Sequence, residues 1–282
     1  MIRPMPSPPP TVAGSAAACA AEVSARGTVA VRLSAIAALR DGGWPETAPE
    51  LPRRFLRHAD EQTVVGMHAL LAAIATFPEP RPALSGHGIV AASCQAGRIS
   101  GAQALVQAKR GGGVAVSTQI VPQGSLHSLA GAASVGLGMH GPNVGVSGGP
   151  EALAEGLLTA LAWLRAAPAM ACDAVWLVVT GWDEEPTLDN AGVPTSDPVC
   201  RGIALALAPS AASVAPGHGG LLLEFDPTEP GTTQPALPAD SLRSLGEALA
   251  DHSAAVRPCS LRLPWFGRVR LSMASSAAQR AA

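Results

Sequence analysis

Ser147 stands in Gly145-Val-Ser-Gly-Gly149, the G-x-S-x-G pattern that lifts a serine hydroxyl onto a sharp strand-to-helix turn. A base placed beside such a serine takes its proton, and backbone N–H groups hold the oxyanion of an acyl transfer. Residues in the matching chain order follow: Asp173, Asp183 or Asp189, then His218 or His252. The other chemical candidates are sparser. His58 and His68 lie on one predicted helix at a spacing unsuited to a metal, so they read as surface or satisfied core residues. Asp183-Glu184-Glu185 lacks a second acidic cluster and reads as a solvated loop. Gly111-Gly112-Gly113 lacks the Lys-Ser/Thr of a phosphate loop and reads as a turn. Cys19, Cys94, Cys172, Cys200 and Cys259 are odd in number and contain no C-x-x-C pair, which argues against a disulfide framework and a zinc site. No metal and no cofactor is expected.

The turn that would carry Ser147 is built in a recognisable order. Val144-Gly-Val146 enters as a strand, and Gly148-Gly149 permit backbone angles closed to other residues. Pro150 suits the first helical turn, where its missing N–H costs nothing. Glu151 and Glu155 sit near the positive end of the helix dipole. From Ala152 to Leu164 the helix is apolar on every face, so it should be buried in the core or against a partner.

Around this turn, strands and helices alternate. Strands are expected at Thr28–Leu33, Gly88–Ser93, Val114–Val121, Asn143–Ser147, Ala174–Thr180, Gly202–Ala208 and Gly220–Phe225, with a last pair around Ser260–Ser272. Helices are expected from Arg54 to Thr76, from after Ser93 to about Lys109, at Ser125–Gly136, from Pro150 to about Arg165 and at Ser241–Asp251. The strands show no period-two polarity, which predicts a parallel or mixed sheet covered on both faces. Residues 1–26 read as a disordered Pro/Ala-rich leader on a cytoplasmic protein, and Pro209–Gly219 reads as a linker. Residues 209–274 read as an irregular C-terminal extension with strands and one helix, and 275–282 as a frayed tail.

The 282 residues are 48% hydrophobic and 14% charged, with a mean hydropathy of +0.25, which suits a large partner interface or an unusually buried interior. The net charge of −2 and a single lysine, Lys109, give nucleic-acid binding little support. No stretch approaches eighteen strongly apolar residues, so no membrane span is expected.

From Gly27 to Ala208 the chain resembles the N-terminal half of the β-ketoacyl synthases, a family of the thiolase-like fold. Gly136-Leu137-Gly138 and Gly141-Pro142-Asn143 match the family's lead-in to its nucleophile strand. Ala174 to Gly181 with Trp182-Asp183 is similar to the following Ala-Leu-Val-Gly-Gly-x-Asp strand, with Thr180 in place of a glycine. Gly202 to Leu207 resembles the later Gly-Ala-Ala-Ala-Leu-Val-Leu strand. Counted from Gly141-Pro142, the family's cysteine falls on Pro150, which has no nucleophilic group. No His-Gly-Thr-like or Asn-His-Ser-Phe-Gly-like segment follows Asp226, and His218 and His252 lack that context.

The resemblance implies an α/β, thiolase-like layered half: a mixed sheet covered by helices, with a central buried helix after the nucleophile-type turn. It implies no catalytic residue and a remnant pocket of His140, Ser147, Gly148, Gly149, Pro150 and Glu151. The implied role is a catalytically silent, chain-length-factor-like subunit in heterodimer with an active ketosynthase, in polyketide, aryl polyene or fatty-acid-type biosynthesis. Val114 to Glu155 would face that partner. An acyl carrier protein is a further expected partner, although scattered arginines such as Arg53, Arg54 and Arg57 are all that could meet its acidic surface. The alternative is an α/β-hydrolase-type serine hydrolase using Ser147.

Overall fold

The computed structural model describes residues 19–170, 172–209, 221–226, 238–250, 259–263 and 267–273. Their strands are β1 (Cys19–Arg32), β2 (His87–Ser93), β3 (Asn143–Val146), β4 (Ala174–Trp182), β5 (Val199–Pro209), β6 (Leu221–Asp226), β7 (Cys259–Leu263) and β8 (Gly267–Met273). Their helices are α1 (Leu33–Leu39), α2 (Glu61–Ile74), α3 (Arg98–Gly111), α4 (Ile120–Gln123), α5 (Ser128–Leu137), α6 (Ala152–Met170) and α7 (Pro238–Ala250). One sheet runs β3-β2-β4-β5-β1-β6-β8-β7. β2 is parallel to β3 and β4, and every other pairing is antiparallel. The mixed α/β sheet expected from the sequence is therefore present.

Strand alternation explains why the central strands read as continuous apolar runs. Neighbouring side chains point to opposite faces, and both faces are covered. Val90, Ala92, Val175, Leu177 and Val179 pack on the face holding Leu157 and Leu161 of α6 and Leu242, Leu245 and Leu249 of α7. Ile89, Ala91, Trp176 and Val178 pack on the other face with Val64, Val65 and Leu71 of α2 and Leu129 of α5. α6 is largely buried, although Leu158 and Trp163 remain half-buried rather than enclosed.

Three of the differences from the sequence reading have a physical reason in the fold. β1 begins at Cys19, inside the span read as leader, because β6 pairs Cys19–Val23 while β5 pairs Ala21–Arg32. Pairing on both sides overrides an alanine-rich composition. α2 begins at Glu61 rather than Arg54, because the Asp60 carboxylate accepts the Thr63 N–H and caps it there. Val114–Val121 is not a strand. A 3-10 turn at Gly113–Ala115 and α4 occupy it, since the segment pairs with no strand of the sheet and a β-branched run without a partner strand gains nothing. Finally, the strands and one helix expected in residues 209–274 are present among the described residues, and β6, β7 and β8 extend the same sheet, with Leu221, Leu223, Val269 and Leu271 sharing a core with Val23. The linker beyond Pro209, His218, His252 and the tail from 275 lie outside the described residues.

Candidate functional site

β3 enters the turn alongside β2, with Val146 opposite Ala92. Ser147 adopts φ 71°, a left-handed conformation uncommon outside glycine, and Gly148 follows at φ 121°. The Ser147 hydroxyl accepts the Gly149 N–H at 3.3 Å, so it serves its own turn. The Gly148 carbonyl accepts the Gln95 N–H at 3.0 Å, joining this turn to the one after β2, where Gln95 itself has φ 60°. Two neighbouring turns at the carboxyl ends of β2 and β3 thus each carry a non-glycine residue at positive φ. One step earlier, Gly145 is required by contact, because a Cβ there would strike the backbone carbonyl of Leu126.

Pro150 is exposed, Glu151 is half-buried, and α6 starts at Ala152. Burial pushes the Glu151 carboxyl up, and the charge of Glu155 adds to this. The residues Ser147 to Glu151 therefore form one cluster. His140 does not join them. It lies exposed at the other end of β3, its N–H on the Ser85 carbonyl, about 13 Å of strand away.

Beneath Pro150 lies a cleft lined by Cys94, Leu153, Val179, Trp182 and Leu242 among others. Its volume is about 10 Å³, room for a single water at most. Leu242 of α7 closes it. The Cys94 thiol sits here half-buried, and burial, then the charge of Glu185, push its pKa up, so it is not a ready thiolate. Cys94 was legible only as a scattered thiol. Its position one residue past a strand running parallel to the β3 strand was the available signal. Behind the cleft, Thr180 Oγ1 donates to Gln62 Oε1 at 2.9 Å and lies 2.8 Å from Ser93 Oγ. Gln62 Nε2 donates in turn to the Cys94 carbonyl at 2.5 Å, so a buried polar chain supports the ends of β2 and β4.

The remaining candidates are placed in structural roles. Asp183 binds Arg201 through two bonds of 2.5 and 2.8 Å and Arg243 of α7 at 3.1 Å. Burial alone would raise its carboxyl, but the two guanidinia outweigh that and hold it below the usual range. Asp173 lies at the amino end of β4, and the Asp189 carboxylate accepts the N–H groups of Ala191 and Val193 in its own loop. Glu185 pairs with Arg98. His68 holds the Leu39 carbonyl at 2.8 Å, while His58 is exposed. Gly112 turns at φ 73° between α3 and the 3-10 turn. Among the described residues, no histidine hydrogen-bonds Ser147, and no group of three or more His, Cys, Asp or Glu could hold a metal ion. Among them, too, no helix is long and apolar enough to cross a membrane.

Among solved structures, the chain is similar to a ketosynthase/chain length factor and to a ketosynthase in complex with an acyl-carrier protein. Against "the ishigamide ketosynthase/chain length factor" it shows 18% identity and a TM-score of 0.46 over 72% of this chain. It spans 65% of that chain's length. Against AntDE:AntF, a type II PKS acyl-carrier protein in complex with its ketosynthase, it shows 14% identity and a TM-score of 0.48, covering 74% of this chain and 70% of that one. No family model matches the sequence. No curated protein matches it either.

Proposed function

We propose that this chain is a catalytically silent, chain-length-factor-like subunit that pairs with an active ketosynthase in polyketide, aryl polyene or fatty-acid-type biosynthesis. The observation that carries this reading is Pro150. A residue without a nucleophilic group occupies the start of the helix that the turn after β3 delivers, above a cleft too small for a substrate. The partner face is the segment Val114 to Glu155. It contains β3, which among the described residues pairs only with β2 and has no strand on its other edge, a template for association. It also contains Val114, Val121 and Val135, exposed by 98%, 73% and 76%, where an isolated protein would rarely leave so many large apolar side chains. Affinity capture from the native host is expected to recover a ketosynthase. A monomer that captures none overturns the proposal.

An acyl carrier protein is the further partner. Arg53, Arg54, Arg57 and His58 are exposed together in the turn before α2, and none forms an ion pair among the described residues, which suits an acidic surface.

The hydrolase alternative draws on one observation, the φ of 71° at Ser147, since strained serines mark nucleophile turns. Against it stands the occupied hydroxyl. A fluorophosphonate probe decides: no stoichiometric labelling is expected, and labelling abolished by Ser147→Ala establishes the hydrolase instead.

A further inference from the structure

At the end of the sheet opposite Ser147, the first residue of β2 lies against the start of β4. Trp176 Nε1 is 3.0 Å from His87 Nδ1, with Trp176 fully buried and His87 5% exposed. An indole nitrogen can only donate, so His87 Nδ1 is the acceptor and carries no proton, which places the ring proton on Nε2. Phe77 packs edge-on against the indole at 6.0 Å. Were Nδ1 protonated, two N–H groups would face each other in a buried site, and the indole would lose its partner.

The same stretch of β2 holds the turn that starts β3. The Gly141 N–H donates to the His87 carbonyl at 3.1 Å, the Ile89 N–H to the Pro142 carbonyl at 2.8 Å, and the His140 N–H to the Ser85 carbonyl at 3.1 Å. These bonds bring Asn143 beside Ile89, where the β2–β3 register begins. β3 is only four residues long and has one neighbouring strand among the described residues, so its position depends on this anchorage.

We propose that His87 is a pH-sensitive latch for β3: the neutral ring accepts the Trp176 indole bond and holds the turn at Gly141-Pro142, and protonation of Nδ1 breaks that bond and loosens the strand. The charged surroundings are few. Asp173, between α6 and β4, is the carboxylate acting on His87, and its N–H donates to the Gly86 carbonyl at 3.0 Å. The Cys172 thiol beside it donates to the Ala174 carbonyl. Glu79 and Arg81, ahead of β2, pair with each other at 2.9 Å, and α5, β3 and β4 contain no charged residue. Burial lowers the His87 pKa from the ordinary 6.5, and Asp173 restores part of it. The latch is therefore closed above the ordinary value and opens as pH falls from there through the folded value.

Nitrogen-15 NMR of the intact chain, with hydrogen exchange of the Asn143–Val146 amides, tests this without any partner present. At neutral pH, His87 Nδ1 is expected unprotonated and the Trp176 indole proton protected. On acidification the two signals should be lost together, with β3 exchange, corrected for its intrinsic pH dependence, rising by up to about tenfold for each pH unit between the ordinary value and the folded one and levelling off below it. In His87→Asn, Oδ1 stands in place of Nδ1 without titrating, and the acid response should vanish. In Trp176→Phe, which removes the indole donor, the His87 titration should move up toward its ordinary value. An indole signal indifferent to His87 protonation, an acid response retained in His87→Asn, or an unmoved titration in Trp176→Phe would each overturn the latch.

Discussion

Asp60 divides one carboxylate between two elements. Its Oδ1 accepts the Thr63 N–H at 2.9 Å and caps α2, and its Oδ2 accepts the Gly97 N–H at 2.9 Å and fixes the turn before α3. Burial pushes its carboxyl up, and the bonds from Thr63 and Gly97 with the charge of Arg40 restrain that rise. Asp60→Ala removes both acceptors from a buried place and should lower stability by about 2 kcal/mol in urea unfolding. Asp183 has the opposite electrostatics. Its folded pKa lies below the ordinary 3.8, so the stability it contributes is complete above that value and is lost as pH falls through the folded one. Asp183→Asn should flatten the acid-unfolding limb below about pH 4, measured by circular dichroism against the native chain. An unchanged limb would mean that Arg201 and Arg243 find equal partners elsewhere.

At the scale of elements, β3 and α7 are held by different forces. β3 rests on a backbone fit: Gly145 lets the segment before α5 lie directly on the strand. Gly145→Ala forces these two backbones apart and should cost about 1–3 kcal/mol, with faster hydrogen exchange in β3 and α5 than in β4. α7 rests on its apolar face. Leu242, Leu245 and Leu249 are each under 5% exposed and worth about 1.5–3 kcal/mol apiece. The Arg243–Asp183 pair, with Arg243 43% exposed, adds about 1 kcal/mol or less. The order of the sequence's elements was legible because both kinds of signal are local, either an apolar run or an apolar helical stripe. The strand expected at Val114–Val121 was not, because β-branched residues state a preference and only pairing with a neighbouring strand can satisfy it. The site was legible in part for the same reason. Ser147 to Glu151 are adjacent in the chain and stay adjacent in space, whereas His140 was grouped with them although β3 carries them apart. Cys94 and Leu242 reach the cleft from β2's end and from α7, a meeting that no local pattern announces.

Over the whole molecule, the resemblance-bearing span and the C-terminal strands form a single sheet. β1 is the seam, with β5 on one side and β6 on the other. A fragment ending at Pro209 would leave Val23, Leu157 and Leu205 without Leu221, Leu223, Leu242, Val269 and Leu271. Such a fragment should give no cooperative thermal transition and should bind a hydrophobic dye, whereas the full chain should melt in one step. β1 also orders events in time. It is synthesised well before either partner, since Arg32 lies opposite Val199 and Cys19 opposite Phe225. The strand must wait, unpaired, until β5 and β6 have been synthesised. This protein is expected to depend on chaperone shielding of β1 in the interval before β5 and β6 emerge.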